Sequence, residues 1–400
     1  MSAFMGPKDS SFRDSRFPLV LAGSIFPQST AKGSVADYEP LSVGQAGVTQ
    51  QLEGVAKQQG DADRKVVFPG DIVINSRSDR RGASGLSRLT GLVSVVYTVL
   101  KPRVEYVESR FAEYLLKSKA FQDEYYRWGT GIVDDLWSTR YDRFASIRIP
   151  LPDLATQRRI ADRLDRETGE IDSSVKELDE YVGLLEKRKR SLYSGLFAKP
   201  ETCKNVSLGM ISSILLGKML DQGKNYGEQT PYLRNTNVRP EGVVDFNDLK
   251  EMRMTEGERV KLDLRKNDIL MCEGGDAGRC AFLREDAPGV SFQKALLRIR
   301  VNNRIALPEY VFHALREAHF SGRIALDYSV STIPHFTAEK AEKLKIYLPD
   351  LERQKEIVLA INRYLDFSRS IITECTALKE LLLKRRQVLI TDMVTGKVEV

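Results

Sequence analysis

Arginine, asparagine and serine gathered in loops offer several hydrogen-bond donors and acceptors to a polar or anionic partner, and equally to water. Two loops of this chain have that character. Asn75-Ser76-Arg77-Ser78-Asp79-Arg80-Arg81-Gly82-Ala83-Ser84-Gly85 brings three guanidinium groups close together in sequence, and Cys272-Glu273-Gly274-Gly275-Asp276-Ala277-Gly278-Arg279-Cys280 sets one arginine among glycines whose backbone can approach a phosphate. Arg234, Asn235 and Asn237 form a further polar cluster. Arg-rich loops are also ordinary solvated surface, so Arg77, Arg80, Arg81, Ser84, Arg234, Asn235, Asn237 and Arg279 are candidates for base or phosphate contact and nothing more at this point. Arg140, next to Trp137-Ser138-Thr139, and Ser331-Thr332, just before His335, precede two matching helix starts. For Arg140, Ser331 and Thr332 a nucleic-acid contact and a sealing role both stay open, whereas Trp137 and Phe336 are expected to pack a domain onto its helix.

The spacings that catalysis needs are missing. Lys218 after Gly217 is followed by Met219, which breaks the phosphate-cradling pattern GxxxxGK[ST]. HExxH, GxSxG and a GxGxxG following a strand do not occur, there is no Asn-Pro dipeptide, and Pro349-Asp350 lacks an E-x-K partner. Cys203, Cys272, Cys280 and Cys375 form no CxxC pair, and with only His313, His319 and His335 beside them no metal site is expected. Cys272 and Cys280 flank a loop and are close enough in sequence to pair, but free thiols are the expected state. With these motifs missing, a binding and assembly protein is expected and not a catalyst.

One stretch of the chain occurs twice. Ile149, Leu151-Pro152-Asp153-Leu154, Gln157, Ile160, Leu184-Leu185, Lys187-Arg188 and Leu192 recur as Ile346, Leu348-Pro349-Asp350-Leu351, Gln354, Ile357, Leu381-Leu382, Lys384-Arg385 and Leu389, always about 197 residues later. Upstream, Gly70-Asp71-Ile72-Val73-Ile74 matches Asn267-Asp268-Ile269-Leu270-Met271 at the same offset, and the apolar segments Leu19 to Phe26 and Val206 to Leu216 open the two copies. Arg13 and Arg16 before Phe17–Phe26 superficially look like an export signal, but a segment repeated in mid-chain belongs to the fold. Asp153 and Asp350 are N-cap candidates. After them Leu164, Ile171, Leu178, Leu185 and Leu192 fall seven apart, as a coiled-coil seam requires, with Thr168 and Lys189 as breaks. The second helix repeats the spacing less regularly through Ile361, Ser368, Cys375, Leu382 and Leu389. The expected architecture is α+β: two α/β domains separated by two long antiparallel coiled-coil helices in an internal pseudo-twofold repeat. The boundaries are a polar, disordered tail over 1–15, a first domain over 16–150, a helix over 151–199, a second domain over 200–347 and a helix over 348–400. The 400 residues, formal charge of +6 and 42% hydrophobic content fit two soluble domains and permit a polyanionic partner without requiring one. No apolar run reaches the roughly 18–20 residues of a membrane span, and a cytoplasmic location is expected.

The doubled I-x-L-P-x-L-x-x-Q helix start, each copy preceded by a G/N-D-I strand, resembles the specificity subunit of Type I restriction–modification systems, as does the closing Thr395-Gly396-Lys397. The resemblance implies two target-recognition domains, each reading one half of a bipartite asymmetric sequence in double-stranded DNA. It implies helices that set the spacing and dock two modification (M) subunits, and through that M2S1 core the restriction (R) subunits. No cofactor would bind this chain directly: S-adenosylmethionine would sit on the modification subunit, ATP and Mg on the restriction subunit. The basic runs Lys187–Arg190 and Lys384–Arg386 complement a helix C-terminus equally well without touching phosphate. A coiled-coil protein-interaction scaffold without DNA readout, or an orphan specificity protein, are the alternatives.

Overall fold

The computed structural model describes residues 10–45, 47–51, 64–77, 82–131, 137–198, 205–221, 223, 225–326 and 335–400. The chain divides into two compact units, one of Met1–Asp179 with Cys375–Val400, the other of Glu180–Glu374. Each unit is a globular α/β part with segments of both long helices, so the units cut across the helices and not at the domain–helix junctions near 150 and 347.

The first unit begins with β1 (Leu19–Leu21) and α1 (Ala22–Ile25), then β2 (Lys32–Gly33), β3 (Leu41–Gly44), β4 (Gly47–Gln50), β5 (Arg64–Val67), β6 (Ile72–Asn75), β7 (Ser84–Leu86), β8 (Gly91–Val93) and β9 (Tyr97–Leu100). Helices α2 (Ser109–Lys117), α3 (Lys119–Arg127) and α4 (Tyr141–Ala145) and strand β10 (Arg148–Pro150) lead into α5 (Leu154–Leu196). β6 is fully buried between β7 and β9 in an antiparallel sheet, and β10 pairs with β1 so that Leu19 faces Pro150. The core gathers Phe26, Ile72, Leu100, Phe111, Leu115 and Phe144. Phe12 belongs to it at 0% exposure, and Ser11 N–H donates to the Glu124 carboxylate at 2.7 Å. The disordered tail expected over 1–15 is therefore wrong for residues 10–15, where one buried phenyl ring in a polar stretch holds the segment down.

The second unit repeats this plan with β11 (Asn205–Ser207), α6 (Leu208–Ile211), β12 (Ser212–Leu216), β13 (Glu228–Leu233), β14 (Lys250–Met254), α7 (Glu256–Lys261), β15 (Ile269–Cys272), β16 (Cys280–Phe282), β17 (Ser291–Phe292) and β18 (Leu296–Val301). Helices α8 (Pro308–Phe320), α9 (Arg323–Leu326) and α10 (Ala338–Lys343) and strand β19 (Lys345–Tyr347) precede α11 (Leu351–Val394). Here β15 is the buried central strand of the order β12-β18-β15-β16, and β11 pairs with β19 as β1 does with β10. The central strands and the last strands before the long helices are 197 apart, but Leu19 and Asn205 hold equivalent register positions only 186 apart, so the second copy is longer between its first and central strands, and Leu100 and Ile299, each paired with the first residue of its central strand, are 199 apart. Gly70 and Asn267 occupy the same left-handed turn, at φ 94° and 72°, which glycine and asparagine tolerate best. Asp71 and Asp268 then close that turn by accepting from the N–H of Phe68 and Arg265 at 2.9 and 2.8 Å. Cys272 and Cys280 are both free and buried. They lie in different cores, Cys272 with Leu270 and Phe292 and Cys280 with Met271 and Phe336, because their register puts them on opposite faces of the sheet.

Both long helices start alike. Asp153 accepts from Thr156 N–H at 3.0 Å and Asp350 from Arg353 N–H at 2.8 Å, the expected caps. Hydrogen bonds from Thr156 hold the Asp153 carboxyl below its ordinary range. One turn on, Gln157 and Gln354 are 0% and 1% exposed. The Gln157 carbonyl accepts the Glu108 N–H (2.8 Å) while its amide donates to Tyr106 and Pro152 carbonyls (2.9 and 2.7 Å). Gln354 accepts the Leu307 N–H and donates to the Pro349 carbonyl, both at 2.8 Å. Each glutamine thus ties the long helix to the N-cap residue of the domain helix, Glu108 before α2 or Leu307 before α8.

The seam holds along α5: Leu164, Ile171 and Leu185 are buried and Leu178 and Leu192 half-buried, with Thr168 buried among them. Along α11, Ile361 is buried, Leu382 and Leu389 are half-buried, and the polar positions Ser368 and Cys375 are buried in line with them. Ser368 satisfies its hydroxyl on the Leu365 carbonyl at 3.1 Å, which lets a small polar residue sit in an apolar seam. In the first unit Asp172 pairs with Arg386 at 2.9 Å and Asp179 with Lys379 at 2.7 Å; one number rises as the other falls, so the helices run antiparallel there. In the second unit Tyr364 Oη donates to the Leu185 carbonyl at 2.6 Å.

Two outcomes follow from these contacts. Replacing Gln157 or Gln354 by Leu strands a buried N–H and one or two carbonyls, and should lower stability by about 1–3 kcal/mol in denaturant unfolding. His313, fully buried on α8, is pushed down to about 3 from its ordinary 6.5, by burial first and the Arg316 charge next. The unfolded chain therefore binds a proton below pH 6.5 that the folded chain refuses. Stability should fall as pH drops from about 6.5 toward 3, by up to ~1.4 kcal/mol per pH unit. His313→Leu should remove that slope whatever it does to stability at neutral pH.

Candidate nucleic-acid interface

The loop after the central strand is stitched to the segment just ahead of the helix start, in both units and at equivalent positions. In the first, Arg77 and Ser138 form an antiparallel bridge, and Thr139 N–H donates to the Ser76 carbonyl at 3.3 Å. In the second, Gly274 bridges His335, and Phe336 N–H donates to the Glu273 carbonyl at 2.7 Å. These pairs are related by the 197 offset, so the fold presents the same loop junction twice and decorates it differently.

In the first unit the junction stands on a buried polar scaffold. Tyr125 Oη donates to the Thr139 carbonyl at 3.1 Å, Thr139 Oγ1 returns a bond to the Tyr125 carbonyl at 2.7 Å, and Ser76 and Thr98 hydroxyls meet at 3.0 Å. Burial pushes the Tyr125 phenol up to about 12, so it works as a neutral hydrogen-bonding group. Trp137 Nε1 donates to the Tyr126 carbonyl at 3.0 Å and its ring lies 5.6 Å from that of Tyr126. Trp137 and the fully buried Phe336 therefore pack, as expected. Arg77 and Arg140 are exposed above this scaffold, Arg77 beside Ser138 and Arg140 at the N-cap of α4. Ser84 lies in β7 at 3% exposure and faces inward, which removes it from a surface role.

In the second unit the junction carries a connected polar chain. Asn235 Nδ2 donates to the Gly274 carbonyl at 2.8 Å, and Arg279 donates to the Asn235 carbonyl at 3.1 Å and pairs with Asp276 at 3.2 Å. His319 Nε2 lies 3.4 Å from the same carboxylate, and burial lowers its pKa. Gly278 at φ 90° permits the tight turn: a Cβ there would stand 2.7 Å from Ile324. Asn235 and Arg279, separate in sequence, thus come together. Arg234 points elsewhere, donating to the Asp248 carboxylate at 2.6 Å. Asn237 is 2% exposed and serves the backbone, accepting from Arg234 N–H (2.8 Å) and donating to the Asp245 and Asp248 carbonyls (2.9 and 3.1 Å). A polar residue type does not reveal whether its partner is DNA or its own loop, and here the loop wins. Arg80, Arg81, Ser331 and Thr332 lie outside the described residues. Asp276 and His319 join the site without having been singled out, His319 from the far end of α8, whereas His335 lies in the segment already matched by position to Trp137–Arg140.

Among the described residues no cluster of His, Cys, Asp or Glu is arranged to hold a metal ion, and no helix is long and apolar enough to cross a membrane.

Residues 200–380 match the family model described as the Type I restriction modification DNA specificity domain. The EcoKI specificity subunit of Escherichia coli K12 is 23% identical over 334 residues, 76% of this chain and 70% of that protein. The StySPI specificity subunit of Salmonella potsdam is 22% identical over 328 residues, with the same coverage. Among solved structures, a chain from work on complex assembly and conformational transition of the type I R-M system superposes with TM-score 0.73 at 15% identity, covering 96% of this chain and 98% of that one. The HsdS subunit from Thermoanaerobacter tengcongensis gives 0.52 at 14% identity, covering 96% and 97%. The fold described above is thus shared over nearly the whole length.

The two asparagines should separate cleanly. Asn237→Ala should cost about 1–3 kcal/mol of stability, because it strands buried backbone groups. Asn235→Ala, at a half-exposed position, should unfold within about 1 kcal/mol of the parent; an equal loss at both positions would make Asn235 another structural cap.

Proposed function

We infer that this chain is the DNA specificity subunit of a Type I restriction–modification complex, in which each globular part reads one half of a bipartite asymmetric target. The observation that carries the reading is the twice-built loop junction with unlike side chains: exposed Arg77 and Arg140 on one copy, the tethered Asn235–Arg279–Asp276 chain on the other. One scaffold with two surfaces is what two different half-sites on one duplex call for. Phosphate contacts would supply affinity and base-edge contacts the sequence.

In this reading the long helices fix the distance between half-sites, which must fall about one helical turn, roughly 34 Å, or a small multiple apart for both to face the same side. Two modification subunits dock along them. Exposed Leu378, Leu381, Leu383 and Val388 on α11, and Tyr181 and Leu184 on α5, supply apolar surface suited to that contact. Catalysis resides in the partners, with S-adenosylmethionine on the modification subunit and ATP and Mg on the restriction subunit, and the complex works in the cytoplasm. No observation favours a scaffold that ignores DNA.

The test is methylation mapping of cells carrying the complete system. Arg77→Ala should relax or abolish one half of the motif and Arg279→Ala the other, each good bidentate contact discriminating by about 1–3 kcal/mol. A change in both halves from either substitution would contradict independent reading.

A further inference from the structure

The two units share one plan but close their helix ends with different chemistry. Gln157 and Gln354 bind the N–H groups of Glu108 and Leu307, which aligns α2 with α8 so that Arg110, Phe111 and Tyr114 correspond to Glu309, Tyr310 and His313. The 197 offset makes Asp165 correspond to Asn362, and Ile390 and Val394 to Tyr193 and Phe197. In the first unit Tyr114 Oη donates to Asp165 at 2.8 Å, and the end of α11 contributes only aliphatic side chains, Ile390, Met393 and Val394, to the core around Phe111. In the second unit Tyr193 on α5 meets His313 Nδ1 at 2.8 Å. Phe197 packs on Tyr310 with ring centres 5.4 Å apart, and Asn362 donates to Glu309 at 3.1 Å.

We propose that the Tyr193–His313 pair is an assembly key: it makes the ends of α5 and α11 non-interchangeable, so that the chain closes as two unlike halves and does not pair like half with like half of a second copy. Much of the rest of the repeat invites that error. The caps, the glutamine ties and the seam spacing are the same in both halves, so the α5 end of a second molecule meets the first unit with a matching backbone. The side chains refuse it. Tyr193 and Phe197 are larger than the Ile390 and Val394 they would replace in the core around Phe111, and the tyrosine brings a hydroxyl to a place that holds an aliphatic group. In the complementary error Ile390 faces His313, whose buried Nδ1 loses its hydroxyl partner.

Refolding of the full-length chain from denaturant over a range of concentrations, followed by size exclusion with light scattering, tests this. The wild-type chain should refold as monomer. Tyr193→Ile with His313→Tyr copies the chemistry of the first unit into the second, and should raise the dimer fraction at a given concentration about tenfold while recovering much of the stability that either single change loses. Tyr193→Phe, which deletes only the hydroxyl, should raise it by a smaller factor. A double variant that is as stable as wild type and monomeric at every concentration would reduce the pair to ordinary packing and overturn the proposal. Should the double variant fail to refold, an unchanged dimer fraction for Tyr193→Phe would overturn it equally.

Discussion

A buried primary amide is intolerant of approximation: it has two donors and an acceptor that water no longer serves, and each must find a backbone partner. Gln157 meets that demand in full, and Gln354 with its acceptor and one donor, by reaching from the first turn of a long helix to the N-terminus of the domain helix beside it and to the proline turn beneath. Their bonds fix three elements at once, and the strand pair closing each domain, β1 with β10 and β11 with β19, hangs on the same junction. Were the amide free to rotate, the domain would pivot on its helix, and neither the loop junction above it nor the direction of the helix below would be defined.

Much of this was legible in the residues. The 197 offset, the aspartate caps and the apolar heptads are local, repeated signals, and the fold follows them. Two kinds of information were not local. Ser368 and Cys375 break the apolar pattern of the seam on paper, yet both are buried in it, and the serine satisfies its hydroxyl on its own helix. The second is direction. Arg234, Asn235, Asn237 and Arg279 carry the same chemistry on paper, but only geometry separates Asn237, spent on its own loop, from Asn235 and Arg279, which brace each other. The 11-residue difference ahead of the central strands, 197 against 186, hid most of the equivalence upstream.

The two loop junctions also differ in how free their arginines are. Arg279 is held by Asp276 and the Asn235 carbonyl, so little side-chain entropy remains to be lost on engaging a ligand, and the adjacent carboxylate cancels its charge toward phosphate. Arg77 stands exposed on a bridge, with more freedom and more reach. In the DNA-reading role proposed above, the tethered Arg279 would favour selectivity and the exposed Arg77 affinity.

The first unit is discontinuous: Ile390, Met393 and Val394 fill a core begun by Phe12 and Phe26, with the whole second unit lying between in sequence. On the ribosome this sets an order of events. The amino-terminal domain emerges first but lacks part of its hydrophobic interior until the last helix has been made, whereas the second unit has nearly everything it needs earlier. The nascent chain must therefore carry an incompletely sealed apolar surface through nearly two hundred residues of synthesis. Such a protein is most vulnerable to chaperone capture and proteolysis while it is being born, and translation speed through the second domain becomes a determinant of its yield.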